Sequence, residues 1–144
     1  MQKYKTARFG EVEVNSDRII QIPEGPIGFP DYKKFIFIDQ ASETPFRTFQ
    51  SLDNPEFSPI VVNPLLARQD FRIDVTMEVL RRLEAQSIYN IEVYVTVKMH
   101  SLKEQITVNL KAPFLINSRA QIGCQYVIPN SRYQKNETFL ISMN

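Results

Sequence analysis

Residues 91–111 of this chain read IEVYVTVKMHSLKEQITVNLK, and this stretch decides the fold class. Apolar and polar residues alternate through its first nine positions, and the alternation returns after a polar turn at residues 100–104. A period of two is typical of strands that bury one face, because successive side chains point to opposite sides of a sheet. The two runs therefore predict a β-hairpin. Its inward-facing residues are expected to be Ile91, Val93, Val95, Val97, Met99, Ile106, Val108 and Leu110.

Further β-prone runs lie on both sides of this hairpin. GEVEV at residues 10–14 alternates in the same way, and RIIQI follows it. KFIFID and SPIVVN are apolar on both faces, which predicts strands that are covered from two sides. Near the C-terminal end, APFLIN, CQYVIP and ETFLIS form three more short runs, each limited by Pro, Asn or Ser.

One segment, DVTMEVLRRLEAQS, has the periodicity of a helix instead. Thr76 is a suitable N-cap, and an apolar stripe that includes Val79 and Leu83 can pack on a sheet. The chain has 144 residues, a typical length for one domain. We therefore expect a mainly β protein with a single domain over residues 1–144. Its predicted fold is a small antiparallel β-barrel or bent sandwich, with about eight to ten strands and one short α-helix at about residues 76–86.

The composition gives no electrostatic argument for nucleic-acid or membrane binding. Seventeen Lys and Arg oppose sixteen Asp and Glu, so the formal charge is only +1. The N-terminal residues contain no apolar segment typical of a secretory signal, and no apolar run approaches the roughly 20 residues that cross a bilayer. The single cysteine excludes an intrachain disulfide and is consistent with a reducing compartment. We expect a soluble cytoplasmic protein with no membrane partner and no direct nucleic-acid partner.

The sequence contains few residues that favour catalysis. His100 is the only histidine and falls in the polar turn of the hairpin, so an exposed turn residue is favoured over a general base or a metal ligand. Cys124 follows Gly123 at the start of a β-prone run, where a small buried apolar residue is favoured over a nucleophile. The sequence has neither Cys or His pairs with metal-ligand spacing nor a calcium-type loop. We expect a protein that is not an enzyme and that needs no metal or cofactor.

The sixteen aromatic residues, ten Phe and six Tyr, suggest an alternative function. Aromatic rings exposed on a barrel face would stack on the bases of single-stranded nucleic acid. Most of these residues lie in apolar strand runs, however, where packing in the core is the favoured interpretation. The near-neutral charge also disfavours nucleic-acid binding. A β-barrel module that binds single-stranded nucleic acid is therefore the second hypothesis.

Two turns in which polar and apolar residues meet are candidates for a protein-binding surface. Asn54 and Asn63 each precede a proline, where an asparagine side chain commonly bonds to the local backbone. The loop after Asn63 is longer than a hairpin requires and contains leucines, which must be covered by the core or by a partner. Turn geometry alone and a docking surface are both open interpretations. The candidate residues are Asn54, Asn63, Leu65, Leu66, Arg68, Asp70, Phe71 and Asp74.

The order of these motifs resembles that of the FliW family of flagellar assembly factors. GEVEV, IPEGPIGF, FQSLDNPEF, IVVNPLLARQDF, DVTMEVLRRL and TVNLKAPFLIN follow one another with the spacing of that family, from roughly Tyr4 to Tyr133. The most specific pieces are GPIGF and NLKAPFLIN. The residues that carry these two motifs are Gly25, Pro26, Gly28, Phe29, Asn109, Pro113 and Asn117.

The resemblance implies a small β-barrel-like protein without catalytic activity. Members of the family bind newly made flagellin in the cytoplasm, and in many bacteria they also bind the RNA-binding translational regulator CsrA. The implied mechanism is an exchange of partners. Export of flagellin frees the protein, which then binds and inhibits CsrA and so relieves the repression of flagellin synthesis. For the contact surface with flagellin, we expect Leu65, Leu66 and Phe71 as apolar anchors and Arg68, Asp70 and Asp74 as orienting charges.

The GPIGF motif differs from the usual Gly-Leu-Pro-Gly-Phe of the family, because its proline comes one place earlier. In a type II turn over residues 25–28, Ile27 would need a positive φ, which a β-branched residue tolerates badly. We therefore predict a type I turn over residues 25–28, with a negative φ at Ile27. Phe29 is then expected to close the end of the barrel.

Overall fold

The computed structural model describes residues 1–39, 44–100, 105–129 and 132–140 of the chain. Eleven strands and one α-helix lie in these residues, together with the 3-10 helices Ser16–Arg18, Pro64–Leu66 and Ile88–Asn90. The helix is α1 (Met77–Arg82), and the strands are β1 (Gln2–Thr6), β2 (Gly10–Val14), β3 (Ile20–Gln21), β4 (Lys34–Ile38), β5 (Arg47–Ser51), β6 (Ile60–Val62), β7 (Glu92–Met99), β8 (Gln105–Val108), β9 (Phe114–Asn117), β10 (Ile122–Gln125) and β11 (Glu137–Leu140).

Seven of these strands close into a barrel-like ring, in the order β7-β6-β5-β4-β3-β10-β9. The ring closes because the N-terminal half of β7 pairs with β9, while β8 and β11 continue the sheet from its C-terminal half. β1 and β2 form a separate hairpin. The mainly β, barrel-like fold with one short helix is therefore confirmed. One pairing departs from the expected antiparallel arrangement: β3 runs parallel to β10, with Gln21 opposite Ile122. A parallel pairing needs a long connection, and most of the chain lies between these two strands.

The predicted hairpin is formed by β7 and β8, with Val97 opposite Val108. These two residues and Ile106 are buried, as the alternation predicts. Met99 was expected to face inward but is exposed, because it ends β7 beyond the residues of the neighbouring core. The predicted turn falls mostly on residues 101–104, which lie outside the described residues.

Asn109 stabilises a break between β8 and β9, which run along the same edge of β7. From Val97 to Tyr94, β7 advances by three residues, whereas the facing chain advances by six, from Val108 to Phe114. The three extra residues leave the ladder as a large bulge. The side-chain oxygen of Asn109 accepts hydrogen bonds from two backbone amides within this bulge, at 3.2 and 3.1 Å. The NLKAPFLIN motif thus has a structural role at the point where β7 changes its partner.

Apolar side chains pack inside the ring and also on its outer faces. Phe35 of β4 points into the ring, whereas Ile36 packs beneath the β1–β2 hairpin. In β6, Val61 belongs to the ring interior and Val62 to a second core on the outside. The prediction that KFIFID and SPIVVN are covered from two sides is therefore confirmed. The buried residues inside the ring are Ile20, Ile22, Phe35, Phe49, Val61, Phe114 and Ile116.

The helix begins where the sequence predicts but ends four residues earlier. The Thr76 hydroxyl accepts a hydrogen bond from the backbone of Val79, which is the predicted N-cap. At the other end, Glu84 has a φ of 55°, and the Ala85 amide donates to the Leu80 carbonyl at 2.9 Å. This 6→1 bond is that of a Schellman motif, which ends a helix. The sequence offers no glycine at this place, and the stop was therefore not predicted.

Asn117 connects this helix to the ring. Its buried side chain lies at the end of β9, and the amide nitrogen donates to the carbonyls of Leu83 and Glu84, at 2.9 and 3.3 Å. Carbonyls at a helix C-terminus have no partner within the helix, so a side chain that reaches them from the sheet serves as a cap. This motif residue therefore fixes the position of α1.

The turn in the GPIGF motif is one residue later than predicted and of another type. The Phe29 amide donates to the Pro26 carbonyl at 2.8 Å, so the turn closes over Pro26 to Phe29. Gly28 occupies the third position with a φ of 86°, which is the geometry of a type II turn. Ile27 is not among the described residues with positive φ, as we predicted. Gly28, and not Ile27, thus occupies the position that needs a positive φ.

Phe29 lies over one end of the ring of strands but does not fill it. Its aromatic ring is 4.7 Å from that of Phe57 and 5.4 Å from that of Tyr32, and the residue remains 42% exposed. At this corner the backbone passes very close to Gly25, so that a Cβ atom there would lie 2.2 Å from the Phe29 carbonyl oxygen. The corner is therefore sterically dependent on glycine at this position.

Candidate protein-binding surface

An open groove of about 470 Å³ lies between the N-terminal half of β7 and the 3-10 helix Pro64–Leu66. Its walls are mainly apolar, and its rim carries Asn63, Glu92 and Tyr94. The apolar lining consists of Pro45, Pro64, Leu65, Phe71, Ile73, Ile91 and Val93. Three of the predicted site residues thus meet at one place, in a concave surface of the kind that binds apolar segments of partners.

Asn63 builds the short helix that forms one wall of the groove. Its side-chain oxygen accepts a hydrogen bond from the Leu65 amide at 2.9 Å, and Pro64 occupies the first helical position. With its backbone fixed in this way, the helix holds Leu65 and Leu66 toward solvent, 50% and 42% exposed. These leucines do not fold back onto the core, which was one of the two interpretations of the loop.

Phe71 has a different position from the two leucines. It is 8% exposed, and the centre of its aromatic ring lies 4.8 Å from that of Tyr133. Both residues belong to the core outside the barrel-like ring of strands. The Tyr133 hydroxyl in turn accepts a hydrogen bond from the Arg72 amide at 2.8 Å. Phe71 therefore forms the floor of the groove, whereas Leu65 forms part of its rim.

The charges of the loop bind mostly within the molecule. Arg68 bonds to Asp70 at 2.9 Å and to Glu137 of β11 at 3.3 Å, and its guanidinium lies 5.0 Å from the centre of the Tyr133 ring. These contacts attach the loop to the edge strand of the sheet. Asp74 is exposed, and its carbonyl is 3.5 Å from the Tyr126 hydroxyl.

Asn54 lies apart from this groove, on the turn after β5. The nitrogen of its side-chain amide donates to the Tyr32 hydroxyl at 2.7 Å, and the side-chain oxygen accepts from the Glu56 backbone amide at 3.0 Å. Tyr32 also stacks against Phe29. The structure therefore divides the candidate residues between two surfaces: the groove, and the aromatic corner at the end of the ring.

A polar network that the sequence did not predict borders the groove. The Tyr94 hydroxyl donates to Glu92 at 2.7 Å and accepts from Arg47 at 2.8 Å, while Arg47 makes two bonds to Asp39, at 2.7 and 3.0 Å. The Ser118 hydroxyl also bonds to Glu92. Burial raises the pKa of Tyr94, and so does its hydrogen bond to Glu92. Tyr94 therefore acts as a neutral donor at neutral pH.

The two residues weighed as catalytic candidates lie in different elements: His100 directly follows β7, and Cys124 belongs to β10. His100 is exposed and bonds to the Thr107 hydroxyl. Cys124 borders a cavity of about 300 Å³ beneath α1, where burial raises the pKa of its thiol. Within the described residues, no three His, Cys, Asp or Glu side chains are grouped so that they could hold a metal ion. In the same residues, the helices are too short or too polar to span a membrane.

The aromatic residues pack as the core interpretation predicts. All sixteen lie in the described part of the chain, and two of them, Phe29 and Tyr89, are exposed. Ring contacts run from Phe29 through Phe57 and Phe35 to Phe49 inside the ring. No continuous stacking platform of exposed rings is therefore present among the described residues.

Known proteins are similar to this chain in both sequence and fold. A family profile, described as FliW protein, matches residues 3–139. The flagellar assembly factor FliW of Alkaliphilus metalliredigens is 30% identical over 137 residues, which cover 94% of this chain and 85% of the relative. That of Syntrophus aciditrophicus is 32% identical, with 96% and 92% covered. The crystal structure of a flagellar assembly factor FliW matches with a TM-score of 0.89 at 25% identity, over 98% of this chain and 99% of that one.

Proposed function

This chain belongs to the FliW family of flagellar assembly factors, and we propose that it binds flagellin in the cytoplasm as a chaperone-like partner. A chaperone-like partner covers apolar surface that would otherwise be exposed to water, and an exposed apolar patch on such a partner marks an interaction site. The protein supplies the groove and the two exposed leucines for this purpose. We propose no catalytic step for it.

The second part of the proposal is regulatory. When flagellin has been exported, the free protein binds CsrA and antagonises it, which relieves the repression of flagellin synthesis. Such an exchange requires that flagellin and CsrA binding oppose each other, because a free energy of coupling between two ligands is reciprocal. Purified protein mixed with CsrA should therefore form a complex in gel filtration, and an excess of flagellin should dissociate it. A complex that flagellin leaves unchanged would contradict this part.

One observation carries the proposal: Leu65 and Leu66 are exposed side by side on a helix whose backbone is fixed by the Asn63 cap. Exposed leucines on a fixed backbone lose little conformational freedom when a partner covers them, which favours binding. The ion pair between Arg68 and Glu137 of β11 also attaches this loop to the sheet. The aromatic corner, with Asn54 and Phe29, is the second surface that a partner can contact.

Copurification with the flagellin of the same cell tests the flagellin part. A double variant, Leu65→Asp with Leu66→Asp, places charge on the proposed surface and should lower the affinity for flagellin by about 100-fold or more. Met77→Asp is the matched control, because Met77 is also exposed and apolar but lies on α1. The control should bind as the unchanged protein does. Absence of any complex at micromolar concentrations of the unchanged protein would refute the proposal.

The nucleic-acid hypothesis is tested by the same protein. It predicts binding of a short single-stranded oligonucleotide that weakens steeply as salt is raised. We expect no such binding at low salt, because the exposed aromatic residues do not form a platform and the net charge is +1.

A further inference from the structure

We propose that the groove takes an extended apolar segment of the partner, which adds to the free edge of β7 and carries a Lys or Arg that pairs with Glu92. This inference rests on the proposed function, since flagellin is the partner through which it is tested. It specifies three features of the bound segment: its extended conformation, its apolar side chains and its basic residue.

The edge of β7 is the first argument. β7 begins at Glu92, but β6 pairs only with its later residues and ends at Val62, opposite Val95. On the other edge, Thr96 accepts a bond from the Asn109 amide, so the odd-numbered residues of β7 direct their backbone groups toward β6. Val93 therefore directs its amide and carbonyl to the side where β6 has ended. No strand in the described residues pairs with this part of the edge.

The proline after β6 keeps this edge open. The chain would have to place Pro64 opposite Val93 if the β6–β7 ladder continued, and proline has no amide to donate. The chain turns away instead into the 3-10 helix Pro64–Leu66, and the space that it leaves is the groove. A segment that enters from outside thus finds two backbone groups to bond and apolar walls for its side chains. Strand addition to an exposed sheet edge is an established mode of peptide recognition.

The charge of Glu92 is the second argument. Glu92 lines the groove, and its carboxylate receives bonds from the hydroxyls of Tyr94 and Ser118, both neutral. The nearest network cation, Arg47, is already held by two bonds to Asp39. Among the described residues, Glu92 makes no ion pair. A carboxylate on an apolar groove without a cation is complementary to a basic residue of a bound segment, which fixes the register of that segment.

The test uses purified flagellin and single variants of this protein, with affinity measured by titration. Glu92→Gln keeps the shape and an acceptor for the Tyr94 hydroxyl but removes the charge, and should lower the affinity about tenfold. The affinity of the unchanged protein should fall as salt is raised, whereas that of Glu92→Gln should change less. Glu13→Gln, on the exposed face of β2, is the matched control and should have no effect.

Substitution of two neighbouring leucines tests whether flagellin binds in the groove or elsewhere on the loop. Leu65 lines the groove and Leu66 does not, although both are exposed on the same helix. Leu65→Ala should therefore weaken flagellin binding about tenfold, and Leu66→Ala should weaken it less than about threefold. Equal effects of the two substitutions would overturn the assignment of the groove.

Hydrogen exchange tests the conformation of the bound segment. Pairing with an extended segment should slow the exchange of the Val93 amide at least about tenfold on addition of flagellin, because the amide then donates within a ladder. Flagellin that binds without protecting this amide, or with full affinity to Glu92→Gln, overturns the inference and leaves the proposed function standing. If flagellin does not bind the unchanged protein, the proposed function itself fails.

Discussion

The Tyr133 hydroxyl tests how much the residues beneath the groove contribute to the stability of the fold. It is 2% exposed, its ring contacts Phe71, and its hydroxyl accepts a hydrogen bond from the Arg72 amide at 2.8 Å. Tyr133→Phe keeps the ring and removes only this acceptor. A partly buried amide that loses its partner costs about 1–2 kcal/mol. In a protein of this length, that cost corresponds to a decrease in Tm of roughly 3–7 °C.

Tyr126→Phe is the matched control, because the Tyr126 hydroxyl lies 3.5 Å from the Asp74 carbonyl in an exposed place. A contact of that length contributes little, so the free energy of unfolding should change by less than about 0.5 kcal/mol. Both variants are compared by urea unfolding followed by circular dichroism, with the same slope m expected for each. The reasoning is refuted if Tyr133→Phe and Tyr126→Phe are equally stable, since the buried acceptor would then contribute nothing.

Three further predictions concern other parts of the molecule. Gly25→Ala should destabilise the fold by at least about 2 kcal/mol, measured by urea unfolding, because its Cβ would overlap the Phe29 carbonyl; a stable Gly25→Ala would contradict the geometry of the corner. Hydrogen bonds from Arg47 hold the pKa of Asp39 below its usual 3.8, so this pair stabilises the folded state above that pH and loses its effect as the pH falls through the folded pKa. Asp39→Asn should therefore lower stability at pH 7 and leave it unchanged near pH 2, and an equal effect at both would disagree with this assignment. Burial raises the pKa of Cys124 above 9.0, so the thiol stays protonated to higher pH than usual. Iodoacetamide at about pH 8 should react with it more slowly in the folded than in the urea-unfolded protein, and equal rates would show that the thiol is not shielded.

The strands were predictable because their pattern is local. Alternation in residues 91–111 identified β7 and β8, and the buried positions of Ile106 and Val108 follow from it. The Asn63 turn and the leucines after it were also found from the sequence, although the fold was needed to show that these leucines do not fold back onto the core. The unexpected fifth strand, β5, begins at Arg47 in a run that mixes polar and aromatic residues, so it gave no clear period.

The groove itself could not be predicted, because it depends on where two strands end relative to each other. Alternation assigned Glu92 and Tyr94 to the outward face of β7, and nothing near them in sequence reveals that β6 stops at Val62. The turn in GPIGF was misplaced for a related reason. The negative φ predicted for Ile27 is consistent with the structure, but whether the turn closes over residues 25–28 or 26–29 depends on how the chain enters β4.

The parallel pairing of β3 with β10 has a consequence for synthesis of the protein on the ribosome. Gln21 and Ile122 are about a hundred residues apart in the chain, so the ring cannot close until β10 has left the exit tunnel. Contacts of such separation require a large loss of chain entropy before they form, which makes them late and slow. We expect the β1–β2 hairpin and the meander from β4 to β7 to form first, with their apolar faces exposed. A nascent chain of this kind is itself exposed to aggregation during the interval, and its translation rate then affects its yield.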